Sequence, residues 1–191
     1  MPELSQLKEL QALPLERKVG FTAARIAEWY KHWDGKVFVS FSGGKDSTVL
    51  LYIARKLFPD IKALFVDTGL EYPEIRDFVK TWDNVEWKKP KKSFLQVIKE
   101  YGYPVISKDV SQAIYEYRSK PNGCRAPQFG LAEWGNYIKA KEYPQWAFLI
   151  DAPFKISHKC CKIMKKSVSE QYVKDTGCKP LFVLVCCMLV F

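Results

Sequence analysis

Six consecutive residues, Ser42-Gly43-Gly44-Lys45-Asp46-Ser47, concentrate more binding chemistry than any other stretch of this chain. Paired glycines permit positive φ and let the backbone approach a ligand with no Cβ in the way. The amides that open a helix after such a turn have no intrahelical partner, and the helix dipole adds positive potential there. Lys45 supplies a point charge, and the hydroxyls of Ser42 and Ser47 can donate to oxyanion oxygens. Asp46 would cap the helix or help to hold a magnesium ion. The set forms a cradle for an anion such as phosphate. Its spacing is neither GxxxxGK followed by Ser or Thr nor GxGxxG, so two widespread nucleotide loops are excluded.

A second candidate centre is the vicinal pair Cys160-Cys161, flanked by Lys159, Lys162, Lys165 and Lys166. At a helix start the dipole lowers a thiol pKa, and thiolates ligate metal. The competing reading makes Cys161 a small apolar core residue on a helix face shared with Met164, Val168 and Tyr172. Cys124 and Cys178 are candidate third and fourth ligands. His158 reads equally as a surface group or an acid–base group, and His32 as structural.

Both centres need elements to hold them. Val37, Phe38, Val39 and Phe41 form a β-prone run suited to a strand buried on both faces. Leu50, Ile53, Ala54 and Leu57 mark a helix after the glycines, and Ala63, Leu64, Phe65 and Val66 a second buried strand. Residues 37–66 thus read as a βαβ unit with a right-handed crossover. Before it, Val19, Ala23, Ile26, Ala27 and Tyr30 share one helix face, and Asp34-Gly35 breaks the chain. After it, Pro73 opens a helix through Ile75, Phe78 and Val79, and residues 84–87 give a third strand. Ser93 and Gln96 form a capping box ahead of another helix, and Val110, Ile114 and Tyr117 mark the next. Residues 119–130 are rich in turn formers and read as a surface loop. The six tryptophans show no stacking pattern for single-stranded nucleic acid and read mostly as core. Strands alternating with helices predict a doubly wound α/β fold, a mainly parallel sheet with helices on both faces. Such sheets bind ligands beyond the carboxyl ends of the strands. The predicted organisation is a helical segment over 1–36, a nucleotide-binding domain over 37–180 and an apolar segment over 181–191.

The SGGKDS run resembles the signature of the PP-loop superfamily, the adenine nucleotide alpha hydrolases. Asp67-Thr68-Gly69, followed by Leu70, Glu71, Tyr72 and Pro73, is similar to the DTG loop of that superfamily's phosphoadenosine phosphosulfate reductase branch. The segment ending in Ser107-Lys108 and the element Lys159-Cys160-Cys161 resemble further parts of the same branch. The resemblance implies the adenine nucleotide alpha hydrolase fold. It implies an adenine nucleotide ligand: phosphoadenosine phosphosulfate, adenosine phosphosulfate or ATP. It implies nucleotide contacts at Ser42 to Ser47, Asp67, Thr68, Gly69 and Ser107, with Lys45 and Lys108 stabilising charge on the transferred or leaving group. In iron–sulfur members of the branch, the paired cysteines supply two ligands to a 4Fe-4S cluster. In the reductases a cysteine thiolate attacks sulfur and a thioredoxin-type reductant resolves the product; no cysteine here is assigned that role.

Three readings follow. One is sulfonucleotide reduction or related sulfur transfer, an oxidoreductase or transferase activity. Another is an ATP pyrophosphatase of nucleic-acid thiolation or phosphorothioation type. The third is an inactive or accessory nucleotide-binding subunit, because 181–191 is uncharged and the family pattern continues differently, as if truncated. The formal charge of +9 favours anionic partners, nucleic acid among them. The apolar run at 181–191 has about half the roughly 20 residues a bilayer span needs, and the first ten residues lack a signal peptide's basic and apolar segments. Cytoplasmic location, no membrane association and reduced thiols are therefore the expectation, with a homo-oligomer left open.

Overall fold

The computed structural model describes residues 9, 11–121, 123–133 and 142–181. In chain order the elements are α1 (Leu15–His32), β1 (Val37–Ser40), α2 (Lys45–Leu57), β2 (Lys62–Val66), α3 (Pro73–Lys80), β3 (Val85–Lys88), α4 (Phe94–Tyr101), α5 (Lys108–Ser119), α6 (Ser167–Thr176) and β4 (Lys179–Leu181). Short 3-10 helices lie at Ala126–Phe129 and Pro144–Asp151, and a π-helical turn at Lys162–Lys166. The described residues fall into two compact units, one running to Pro90 and resuming at Ser167, the other spanning Lys91–Lys166.

The first unit is built on a four-stranded sheet in the order β3-β2-β1-β4, and all three pairings are parallel. Side chains alternate across a strand, so each strand feeds two cores. Val37, Val39, Phe41, Ala63 and Phe65 pack against Ile26 of α1, Leu50, Leu51, Ile53 and Ala54 of α2, and Val79 of α3. Phe38 and Leu64 point the other way and meet Tyr172 of α6. The Phe38 and Tyr172 rings cross edge-to-face at 4.8 Å. Helices therefore cover both faces, as the continuous apolar runs of β1 and β2 require. The chain advances from β1 through β2 to β3 on one side, then returns to place β4 on the far side of β1. The strand order thus reverses at β1, and the carboxyl end of β1 is where such sheets bind ligands. Pro180, which lacks an N–H, is tolerated in β4 at the end of the four-strand order.

A polar triad closes the α6 face. The Tyr172 hydroxyl and Lys62 Nζ each donate to Glu86 Oε1 at 3.0 Å. Burial, reinforced by the bond to Glu86, pushes the Tyr172 phenol well above its ordinary pKa, so it stays a donor. Bonds from Lys62 and Tyr172 hold the Glu86 carboxyl below its usual range.

The second unit has its own core of Val110, Ala113, Ile114, Phe129 and Ile156. Gly102, at φ +114°, lets the Lys155 carbonyl approach; an added Cβ would lie 2.5 Å from that oxygen. This approach supports the parallel bridge between Tyr103 and Ile156. Ser93 caps α4 as its spacing predicts: Ser93 Oγ accepts from the Gln96 amide, and Gln96 Oε1 accepts from the Ser93 amide at 2.8 Å. Ser93→Ala should therefore cost about 1 kcal/mol of stability, read by urea unfolding, with amide exchange accelerated in α4. An unchanged unfolding midpoint would show that the box contributes nothing to this unit.

Several expectations need correction. Residues 126–129, read as surface loop, are all buried. The reason is tertiary: Phe129 meets the Tyr117 ring at 5.9 Å, and the buried Gln128 is satisfied by Arg125 at 2.9 Å. The tryptophans form a shell more than a core. Trp33, Trp82, Trp87 and Trp146 are half-buried, Trp29 is 37% exposed, and Trp134 lies outside the described residues. The predicted boundary at 180/181 falls inside β4, where Leu181 is buried; residues 182–191, with Cys186 and Cys187, lie outside the described residues. The helical segment predicted over 1–36 contributes α1 to the first core, and the span 37–180 divides between the two units.

Candidate nucleotide site

The phosphate-loop candidate begins where β1 ends. Phe41 keeps the sheet pairing one residue further, donating to the Leu64 carbonyl at 2.9 Å, and the chain then turns at Ser42. Gly43 takes φ +73°, a conformation that favours glycine, and an added Cβ would sit 2.8 Å from Ile75 Cγ2 and 3.0 Å from Val79 Cγ2. The turn is thus pressed against α3 at a point where no side chain fits. Gly44, in extended conformation, is the N-cap of α2, and the first helical bond runs from the Thr48 amide to the Gly44 carbonyl at 3.0 Å. The amides of Lys45, Asp46 and Ser47 precede that bond and have no intrahelical acceptor.

The two serines play different parts. Ser47 is buried; its hydroxyl donates to the Gly44 carbonyl at 3.0 Å and accepts from the Ser42 amide at 3.2 Å. It shapes the turn from inside. Ser42 is exposed, and its hydroxyl lies 3.0 Å from that of Ser47. Gly44, Lys45 and Asp46 are exposed as well. The expectation that Asp46 caps the helix is not met: Asp46 sits in the first turn, and the N-cap Gly44 has no side chain. What faces outward is a helix N-terminus with free amides, one ammonium and one hydroxyl, which can bind an oxyanion.

Asp67, Thr68 and Gly69 follow β2, the neighbour of β1, so the two loops leave the sheet side by side at its carboxyl edge. This second loop is tied internally. Asp67 Oδ2 accepts from Arg76 Nη2 at 3.0 Å, and Oδ1 accepts from the Gly69 amide at 3.1 Å. Glu71 takes the Thr68 amide at 2.9 Å and the Thr68 hydroxyl at 2.7 Å. Gly69, at φ +80°, is exposed, with no atom within 4 Å of an added Cβ. Sequence reasoning missed Glu71 and Arg76 as organisers of this loop. A carboxylate three residues after a threonine was the available signal for Glu71; nothing local marks Arg76.

Most of the remaining candidates belong to the second unit. Ser107 is the N-cap of α5, its hydroxyl accepting from the Val110 amide at 3.2 Å, and Lys108 is exposed at the first helical position. Ile106, just before them, has φ +58°, a strained value for a β-branched residue. Lys159 Nζ donates to the Tyr115 hydroxyl at 2.8 Å and lies 4.6 Å from the centroid of that ring. Burial pushes the His158 imidazole below its ordinary pKa; Glu116 opposes this, and Lys108, Lys159 and Arg125 add to it. Cys160 is half-buried, and burial, followed by the neighbouring Cys161, pushes its thiol up rather than down. The lowered thiol expected at a helix start is therefore not found at Cys160, because desolvation opposes the thiolate. Cys161 and Cys124 are exposed, and Cys178 belongs to the first unit. Among the described residues no group of three or more His, Cys, Asp or Glu converges to hold a metal ion. The described cysteines thus do not assemble the ligand set of a four-iron cluster, and no chemistry is derived through one. Among the described residues, no helix is long and apolar enough to cross a membrane.

Residues 36–118 match the phosphoadenosine phosphosulfate reductase domain family. The match takes in both loops and Ser107-Lys108 and stops before Cys160. Over 106 residues the chain is 26% identical to an adenosine 5'-phosphosulfate reductase of Staphylococcus epidermidis, covering 52% of this chain and 44% of that one. Over 81 residues it is 30% identical to a phosphoadenosine 5'-phosphosulfate reductase of Xylella fastidiosa, covering 42% and 34%. Over 66 residues it is 41% identical to an uncharacterized protein of Methanocaldococcus jannaschii, covering 35% and 16%. The chain spans less than half the length of these curated relatives. It carries a phosphoadenosine phosphosulfate reductase-like domain with the parallel α/β fold that the sequence predicts.

Proposed function

We propose that this domain binds an adenine nucleotide with its phosphates on the turn at Ser42 to Ser47, and that its activity lies in sulfonucleotide reduction or related sulfur transfer. The observation that carries the reading is the exposed α2 N-terminus at the point where strand order reverses, with Lys45 beside it. Oriented amides and a fixed cation stabilise phosphate charge without reorganising. Gly69 supplies a bare stretch of backbone from the adjacent loop for the adenosine side. Asp46, exposed in the first turn of α2, is the residue that would share a magnesium ion with the phosphates. Lys108 and Ser107 enter the proposal on the family resemblance alone, as does a thioredoxin-type reductant.

Calorimetric titration with ATP, adenosine phosphosulfate and phosphoadenosine phosphosulfate tests the reading. A sulfonucleotide should bind more tightly than ATP, and Lys45→Ala should weaken binding by about tenfold. Lys45 is exposed, so the thermal midpoint should stay near that of the wild type. Unchanged affinity in the variant would remove the cradle from the account.

The alternative, an ATP pyrophosphatase acting on nucleic acid, draws on the charge of +9 and on the exposed Lys88, which ends β3, and Lys89 after it. The same titration separates the two, because that reading requires ATP to bind best. Retention on single-stranded nucleic acid that falls steeply with salt would support it further.

A further inference from the structure

We infer that Asp67 and Arg76 are a scaffold pair that sets the shape of the second loop, so that the Asp67 carboxylate does not touch the ligand and Arg76 is a positioning residue. The inference deepens the proposed function and rests on it for its affinity readout.

The Asp67 side chain is 3% exposed, and each of its oxygens is engaged by a donor of the protein. An ionised carboxylate aimed at a nucleotide phosphate would repel it. Turned inward and paired with a guanidinium, the same group costs the ligand nothing and holds the Gly69 amide in place. Glu71 immobilises Thr68 in the same manner. The loop therefore presents Gly69 and Leu70, both exposed, as its outer surface, and keeps its acids behind them.

The partner of Asp67 comes from α3, and α3 also backs the first loop. Ile75 and Val79 press on Gly43, and Arg76, between them in sequence, reaches Asp67. One helix of eight residues thus sets both loops at once. A displacement of α3 would move the phosphate turn and the Gly69 turn together.

The test uses substitutions that separate a scaffold pair from a ligand contact. Removing the guanidinium strands the buried Asp67 carboxylate, whereas removing both charges is milder. Arg76→Met should weaken binding of the tightest nucleotide by about tenfold. Arg76→Lys, which keeps a cationic donor, should stay within about threefold of the wild type. The double variant Asp67→Asn, Arg76→Met should bind more tightly than Arg76→Met alone. A double variant that binds no more tightly than Arg76→Met would overturn the inference, because the loss would then not come from a stranded carboxylate. Amide exchange at Gly69 gives a readout that needs no ligand: it should quicken in Arg76→Met and recover in the double variant. If the wild-type protein binds no adenine nucleotide, the proposed function fails while this exchange pattern still decides the scaffold role. Exchange at Gly69 indifferent to Arg76 would end it.

Discussion

Replacing Gly43 by alanine is expected to destabilise the protein by about 2–4 kcal/mol and to abolish measurable nucleotide binding, whereas the same change at Gly44 should cost about 1 kcal/mol or less. The two positions are neighbours in one turn, and the added atom is the same methyl carbon. At Gly43 that carbon must occupy φ +73° and would lie 2.8 Å from Ile75 Cγ2 and 3.0 Å from Val79 Cγ2. Val79 is fully buried and cannot retreat without disturbing the core it shares with Phe65 and Leu50. At Gly44 the backbone is extended, and the carbon would meet only Ser42 Oγ at 3.4 Å, an ordinary contact. Alanine is a poorer N-cap than glycine, which accounts for the small remaining cost. Urea unfolding gives the two stabilities, and calorimetry gives the two affinities. The double variant Gly43→Ala, Ile75→Ala isolates the steric share: removing Cγ2 should recover part of the loss, leaving the backbone share. Equal effects at the two glycines would mean that α3 does not brace the turn, and the coupling of the two loops through α3 would fall with it.

The contrast marks what the sequence discloses and what it withholds. The strand, turn and helix at residues 37–57 were legible because each signal is local: a β-branched and aromatic run, paired glycines, then an apolar face of helical period. The capping box at Ser93 was legible for the same reason. The pressure of Ile75 and Val79 on Gly43 was not, since it joins residues 32 and 36 positions apart with no pattern linking them. Arg76 escaped notice because the acid it neutralises lies on another element, nine positions earlier. Residues 126–129 misled because Pro, Gln and nearby Gly signal a turn but do not say whether the turn is covered. The thiol of Cys160 misled in a related way: the helix-start argument carries one sign, burial carries the other, and only burial is invisible in sequence. Local chemistry therefore located the candidate site, while the residues that stiffen it are tertiary.

The same division governs the second unit, where the largest loss is expected at Arg118. Residues Pro144–Asp151 form an eight-residue 3-10 helix, longer than this geometry usually sustains, although Trp146, Ala147, Leu149 and Ile150 pack against the second core. One side chain adds to that packing. Arg118 Nε donates to the Ile150 carbonyl, Nη1 to Phe154, and Nη2 to both Leu149 and Ala152, each at 2.8 Å. A single guanidinium thus gathers four carbonyls lying 31 to 36 residues away, which the rigid fork of five N–H donors allows and an ammonium does not. Arg118→Met keeps most of the apolar stem and removes every donor, so its cost reports the bonds themselves. Charge-assisted bonds contribute about 1.5–3 kcal/mol each, but water can reach the more exposed carbonyls and the four are not additive, so about 3 kcal/mol is the expected total. Arg118→Lys should recover no more than about half of that, since one ammonium cannot serve acceptors spread around the fork. Urea unfolding measures the total, and amide exchange at Trp146 and Ala152, whose N–H groups bond to Tyr143 and Leu149, reads the segment directly. If exchange at those amides in Arg118→Met matches the wild type, solvent serves the carbonyls as well as the guanidinium does, and Pro144–Asp151 must be held by its packing against α5 and the 3-10 helix Ala126–Phe129.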